Sequence, residues 1–170
     1  RRVLFRSKRT LERFQRIVKS KRYQEEYEKL QNLEKERRFC RHDMEHFLSV
    51  ARICYIFAME KKIDVSVDII YGTAFLHDLG RAMQYEKGIS HEEAGAIIAE
   101  EILLECDYKP WERTIIIETI RNHRDIGGVN EEDFSEIFYR ADKLSRDCMH
   151  CPVHEECYWP PEKKNNVYIR

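Results

Sequence analysis

Apolar residues recur at offsets of three and four along most of this chain. No segment of useful length alternates with the period of two that a half-buried strand needs. The whole chain is therefore read as helices. One long helix is expected over residues about 10–38, with Leu11, Phe14 and Val18 on one face. A second, over about 43–60, lines up Phe47, Val50, Ala51, Cys54 and Ala58. A third, over about 66–79, stops at Gly80. Ser90-His91-Glu92-Glu93 reads as a capping box in which Ser90 caps and Glu93 reaches back. It opens a helix with Ala94, Gly95, Ile98 and Ile102 inward. Pro110 suits the first turn of the next helix, which runs to about His123. Gly127-Gly128 marks a loop. Glu131, Glu132 and Asp133 favour the start of a last long helix ending near Asp147. Pro152, Pro160 and Pro161 make the tail irregular.

These patterns predict an all-α, single-domain helical bundle with a long N-terminal helix and an irregular, cysteine-rich C-terminal tail. The 170 residues suffice for one domain and its core. A hydrophobic fraction of 42% excludes a disordered chain, and 6 Gly with 4 Pro exclude fibrous folds. No apolar run approaches the roughly 20 residues of a membrane-spanning helix. The opening residues, Arg1-Arg2-Val3-Leu4-Phe5-Arg6, do not resemble a signal peptide. A cytoplasmic chain without membrane contact is expected. Because it does not begin with Met, its true N-terminus is expected upstream.

The net charge of −1 conceals an asymmetry. Residues 1–40 hold 14 basic and 6 acidic side chains, whereas the rest hold 16 and 25. The basic arm, residues 1–39, either folds back on the acidic body or contacts nucleic acid. Phe5, Phe14 and Tyr23 are interleaved with its cations, as stacking contacts for bases would be.

The functional signal is polar residues on apolar stripes. A helix advances about 100° per residue. His46 lies four residues before Val50 and eight before Cys54, so it shares their inward face. His77 and Asp78 follow Ala74 by three and four residues. His91 precedes Ala94 and Gly95 by three and four, and His123 follows Ile120 by three. Asp142 follows Phe138 by four and Phe134 by eight. A single inward His is ordinary, but four His and two Asp on five helices need compensating positive charge. Few Lys or Arg share those faces. One or two divalent ions such as Fe, Mn or Zn would supply the charge, with Asp78 placed to bridge them. His42, four residues before His46, is either a further ligand or a group behind one. Asp43 and Asp125 are either surface residues or partners of the ligands.

This ordered set resembles the H…HD…D signature of the HD-domain metal-dependent phosphohydrolases. The carriers are His46 in His46-Phe47-Leu48-Ser49-Val50-Ala51, the doublet in Phe75-Leu76-His77-Asp78-Leu79-Gly80-Arg81, and Ala141-Asp142-Lys143. His91 and His123 resemble the two extra histidines of dinuclear members. The likeness covers roughly residues 40–147. It implies an all-α fold and hydrolysis of a phosphoester or phosphoanhydride bond in a nucleotide or dinucleotide. It also implies His46, His77, Asp78 and Asp142 as core ligands, with His91 and His123 serving a second ion or a proton transfer. Arg81, Lys143 and Arg124 are the expected phosphate contacts. The alternatives are a catalytically silent nucleotide-sensing module and a nuclease that uses the basic arm.

The tail, residues 148–170, contains Cys148, Cys151 and Cys157, with His154 between the last two. The C-x2-C pair suits a soft ion held by thiolates. Zinc, an iron–sulfur cluster, a disulfide and free thiols all remain open here. So does the fourth ligand: His154, Cys40 or Cys106.

Overall fold

The computed structural model describes residues 8–124 and 133–166, with side chains from Arg13 onward. The expectations at Phe5, Asp125, Gly127-Gly128, Glu131 and Glu132 lie outside the described residues, and the one at Leu11 outside the described side chains. Eight α-helices appear among those described: α1 Lys8–Lys19, α2 Lys21–Leu33, α3 Met44–Lys61, α4 Val67–Leu76, α5 Arg81–Lys87, α6 His91–Glu105, α7 Pro110–Asn122 and α8 Phe134–Leu144. A short 3₁₀ turn, Pro161–Lys163, interrupts the tail. No strand is present among the described residues, and none of their helices is long and apolar enough to cross a membrane.

The single long N-terminal helix is not formed. Ser20 adopts an extended conformation (φ −65°, ψ 141°), and its hydroxyl accepts from the Tyr23 amide at 3.2 Å. A serine that caps a new helix competes with the continuous ladder and breaks it. The two pieces fold back on the body. Ile17, Tyr23 and Leu30 are buried, and Phe14 packs edge-on against Phe75 at 4.4 Å between ring centres. Phe14 and Tyr23 therefore serve the core rather than offering rings to bases.

α4 lies at the centre. Nine of its ten residues are buried, because α1, α3, α6 and α7 pack around it. Ser66 caps it, with its hydroxyl accepting from the Ile69 amide at 3.3 Å. The helix stops at Leu76, short of the expected end, and the chain turns through His77–Gly80 into α5, which the sequence pattern did not signal. Gly80 does more than stop a helix. A Cβ there would lie 2.1 Å from the His91 carbonyl oxygen and 2.4 Å from the Gly95 nitrogen. A Cβ on Gly95 would lie 3.2 Å from the His77 carbonyl oxygen. These two glycines let the His77-Asp78 turn press against the start of α6.

Ser90 caps α6 as expected, but Glu93 does not reach back. Its carboxylate pairs with Arg121 at 3.4 Å. The return contact occurs at α7 instead, where Glu112 accepts from the Lys109 amide at 2.8 Å. α8 ends at Leu144, not near Asp147. Ser145 closes it, its amide donating to the Ala141 carbonyl at 3.0 Å.

Candidate metal centre

Helix ends deliver the ligand-type residues to one end of the bundle. His46 sits in the first turn of α3, where its amide donates to the Asp43 cap at 3.0 Å. His77 ends α4 and Asp78 follows it; His91 begins α6, His123 ends α7, and Asp142 lies in the last turn of α8. All six are buried.

They form two groupings whose ligand atoms lie within 4.8 Å of one another: His46, His77, Asp78 and Asp142, and Asp78, His91 and His123. Asp78 belongs to both, and its two oxygens divide between them. Oδ2 lies 3.0 Å from His77 Nε2 and 3.5 Å from His46 Nε2. Oδ1 lies 3.5 Å from His91 Nε2 and 3.9 Å from His123 Nε2. Asp142 Oδ1 stands 3.4 Å from His46 Nε2 and 3.7 Å from His77 Nε2. His91 and His123 face each other through their Nε2 atoms at 3.2 Å.

The far ring nitrogens are anchored, which fixes the rings. His77 Nδ1 donates to the Ala74 carbonyl at 2.8 Å, and His123 Nδ1 to the Ile120 carbonyl at 2.5 Å. His46 Nδ1 donates to Ser145 Oγ at 3.0 Å, and that hydroxyl donates to the Asp142 carbonyl at 2.7 Å. In each neutral ring the lone pair then sits on Nε2 and points into the centre.

Burial holds His46 down to about 4, with Arg146 adding to the effect. Burial likewise holds His123 down to about 4, and His91 down to about 3. These three rings are neutral donors at physiological pH. At His77 burial also disfavours the charged form, but Asp78 and Asp142 outweigh it and push the ring up to about 9. Both carboxyls stay well below the ordinary range against the pull of burial, Asp78 chiefly through Arg81 and His77, and Asp142 through His77 and Lys143. The field therefore favours positive charge between the two carboxylates.

His77 Nε2 and Asp142 Oδ1 are buried without a hydrogen-bond partner in the protein. Each such atom costs about 1–3 kcal/mol if nothing meets it. Imidazole and carboxylate donors of this kind fit a divalent ion, and both groupings converge as such an ion requires. A family profile described as "HD domain" matches residues 43–147, more than half of the chain. The chain belongs to the HD domain family. A protein of Clostridium beijerinckii, named only "Uncharacterized protein", is 41% identical over 155 residues. That match covers 91% of this chain and 97% of the relative. No solved structure matches significantly.

Cations also reach this HD-domain centre. Arg81 Nε donates to Asp78 Oδ1 at 2.7 Å, and Lys143 Nζ to Asp142 Oδ2 at 2.6 Å. Arg146 stands 3.3 Å from His46 Nε2 and 3.8 Å from Asp142 Oδ1. Sequence reasoning missed Arg146, although it follows Asp142 by four residues and so shares its face in the helix expected to run to about Asp147. Arg124 is well exposed and pairs with Glu92 at 3.1 Å, farther out.

His42 also belongs here. It is buried, its Nδ1 donates to Glu34 at 2.5 Å, and its Nε2 points to Asp78 Oδ2 at 3.7 Å. Burial holds this ring below its ordinary value. Glu34 in turn accepts from Tyr85 at 2.6 Å. Asp43 acts as the α3 cap. Cys148, Cys151 and Cys157 carry free thiols in the tail, beside this end of α8, and His154 Nδ1 donates to the Cys148 carbonyl at 2.7 Å.

A cavity of about 90 Å³ opens beside the centre. Arg37, Arg81, Lys143 and Arg146 line it against the carboxylate of Asp142, and Tyr158 and Trp159 of the tail form part of its wall.

Proposed function

We propose that this HD-domain protein is a metal-dependent phosphohydrolase acting on a nucleotide or dinucleotide. The observation that carries the reading is Asp78, whose two oxygens serve two separate histidine groupings. That division is what a carboxylate shared between two ions requires. His46, His77, Asp142 and Asp78 Oδ2 would hold one ion, and His91, His123 and Asp78 Oδ1 the other. Bound there, the ions supply charge for phosphoryl oxygens and a water acidic enough to ionise near neutral pH.

The remaining steps fall to the chain. Ser145, Ala74 and Ile120 fix the rings of His46, His77 and His123, so their lone pairs need no reorientation. Arg146 and Lys143 face the cavity and can hold the phosphate chain while remaining near Asp142. Arg81 keeps Asp78 ionised and places a second charge at the same wall. Four cations against one carboxylate suit more than one phosphate, and Trp159 and Tyr158 offer rings for the base.

The test is phosphate or nucleotide release at low salt with added Mn²⁺ or Fe²⁺. Dinucleoside polyphosphates, cyclic dinucleotides, nucleoside mono- and triphosphates, guanosine tetraphosphate and short RNA form the panel. The reading expects turnover of a nucleotide that disappears in Asp78→Asn. Metal bound with no turnover on any substrate favours the sensing module, and cleavage confined to RNA favours the nuclease. Equal turnover in both proteins removes the assignment of the site.

A further inference from the structure

The cysteine tail lies against the segment that joins α2 to α3. Two contacts join them, and a third comes from Arg146, just before the tail. Arg38 pairs with Glu156 at 2.7 Å, Phe39 packs edge-on against Tyr158 at 5.6 Å, and Arg146 donates to the Arg41 carbonyl at 3.0 Å. Cys40 lies between the second and third of these positions, and its carbonyl accepts from Arg37 at 2.8 Å. The tail itself is a succession of turns. The Cys151 amide donates to the Cys148 carbonyl at 3.4 Å, His154 to Cys151 at 3.1 Å, and Cys157 to His154 at 3.3 Å. These turns gather three cysteines into one short folded segment of the tail.

The Cys40 thiol lies within electrostatic reach of the other three. Burial pushes the Cys40 thiol up and Arg146 pulls it down, while Cys148, Cys151 and Cys157 each push it up again. All four are free thiols, Cys148 buried and the others half-buried. Cys40 and Cys151 line one open cavity of about 700 Å³. The other two cysteines stand apart. Cys54 is enclosed in the core, and the charged neighbours of Cys106 are Glu105, Arg16 and Asp107.

We propose that Cys40, Cys148, Cys151 and Cys157 together bind an iron–sulfur cluster. Four thiolates are the usual complement of such a cluster. A single zinc ion would draw its sulfurs to roughly 3.8 Å from one another, given Zn–S bonds of about 2.3 Å. Among the described residues, the groupings with three or more ligand atoms within 4.8 Å are the two histidine–aspartate ones. No three of the four thiols lie within 4.8 Å of one another, wider than one zinc ion needs, whereas a cluster in which each thiolate meets its own iron spaces its sulfurs more widely. Each thiol releases its proton on binding. Arg37, Arg38, Arg41 and Arg146 lie around the same cavity, together with Glu36, Asp43, Glu45 and Asp147. The cluster would also tie the segment before α3, which leads into His46, to the segment after α8, which follows Asp142.

The experiment is purification of the full chain without oxygen, followed by assay of iron, zinc and acid-labile sulfide. Labile sulfide is the deciding readout, because ions at the histidine–aspartate centre contribute none. About four sulfides per chain are expected for a cubane cluster, with visible charge-transfer absorption. Cys40→Ser and Cys151→Ser should each lose sulfide, and Cys106→Ser should keep it, with helical circular dichroism recorded for all. Three results overturn the proposal: no sulfide in the wild-type protein, one zinc per chain that Cys151→Ser removes, or sulfide that survives Cys40→Ser. Turnover enters none of these readouts, so the phosphohydrolase reading stands or falls separately.

Discussion

Two regions of this bundle bury pairs of carboxylates, and they neutralise them differently. At one, Asp68 and Glu112 close on Arg13. Its Nε and one terminal nitrogen reach Asp68 Oδ2 at 2.9 and 2.7 Å, and it also bonds both oxygens of Glu112. The guanidinium lies over the Tyr108 ring at 4.7 Å. At the other, Asp78 and Asp142 meet Arg81 and Lys143 on one oxygen each, while their other oxygens face imidazole nitrogens. The first region carries its own cation at the centre. The second places cations at its rim and leaves converging lone pairs inside. Burial of charge alone does not separate a structural cluster from a candidate active site, whereas the identity of the central partner does.

The largest expected effect breaks the second region only. Asp78→Asn removes a charged donor from both groupings at once. Loss of several kcal/mol of charge stabilisation corresponds to a fall in kcat of roughly a thousandfold or more. Divalent metal measured by elemental analysis should fall with it, and helical circular dichroism should persist. Retention of full turnover would remove the contrast between the two regions.

Arg13→Met should do the opposite. It leaves Asp68 and Glu112 buried without their shared cation, and breaking a buried pair in this way costs about 3–5 kcal/mol. Denaturant unfolding should show that loss, while the metal content of the folded protein stays at the wild-type level. A variant as stable as the parent would mean that α1 contributes little to the fold.

The two regions also differed in how far the sequence revealed them. The gathering of His46, His77, Asp78, His91, His123 and Asp142 was legible because each polar residue interrupts an apolar stripe of known period, and the end of a helix rarely disguises that. The caps at Ser66 and Ser90 begin α4 and α6 close to the expected positions. Ser20 was not recognised because helix-favouring Lys, Arg, Gln and Glu continue on both sides of it. α5 has only seven residues between two glycines, too few for a period to emerge. Arg13 was illegible for another reason. Arg13 meets Asp68 and Glu112 from 55 and 99 positions away, and no spacing rule links residues so distant in the chain. Cys40 could be named only as one of three alternatives for a fourth ligand, because its neighbours follow more than a hundred residues later.

A smaller effect lies behind the centre, at Glu34. Burial disfavours its anion, but the hydrogen bond from His42 and the others around it outweigh that and hold the carboxyl down to about 2, against an ordinary 4.5. A carboxyl lowered on folding adds stability above its unfolded value, and that stability is lost as the pH falls toward the folded value. Glu34→Gln should therefore destabilise the protein by about 2 kcal/mol at pH 7, as for hydrogen bonds to a charged group. The gap between variant and parent should narrow between pH 4.5 and 2. A gap that does not depend on pH would show that Glu34 contributes by shape rather than by charge.

The smallest expected effect concerns the rim, where the tail meets the cavity. Trp159 is half-buried there and has no place in the ligand groupings. Stacking of a base on an aromatic ring is worth about 1–3 kcal/mol. If the substrate lays its base on this wall, Trp159→Ala should raise KM by roughly tenfold, since 1.4 kcal/mol is about one power of ten. The turnover number should move little, because Trp159 belongs to neither histidine–aspartate grouping. Inorganic polyphosphate, which has no base, supplies the control as a competitive inhibitor. Its inhibition constant should be the same in both proteins. A parallel loss of polyphosphate affinity would instead mean that the tail shapes the phosphate wall, and the contribution of Trp159 would then be to hold Arg146 and Lys143 in place.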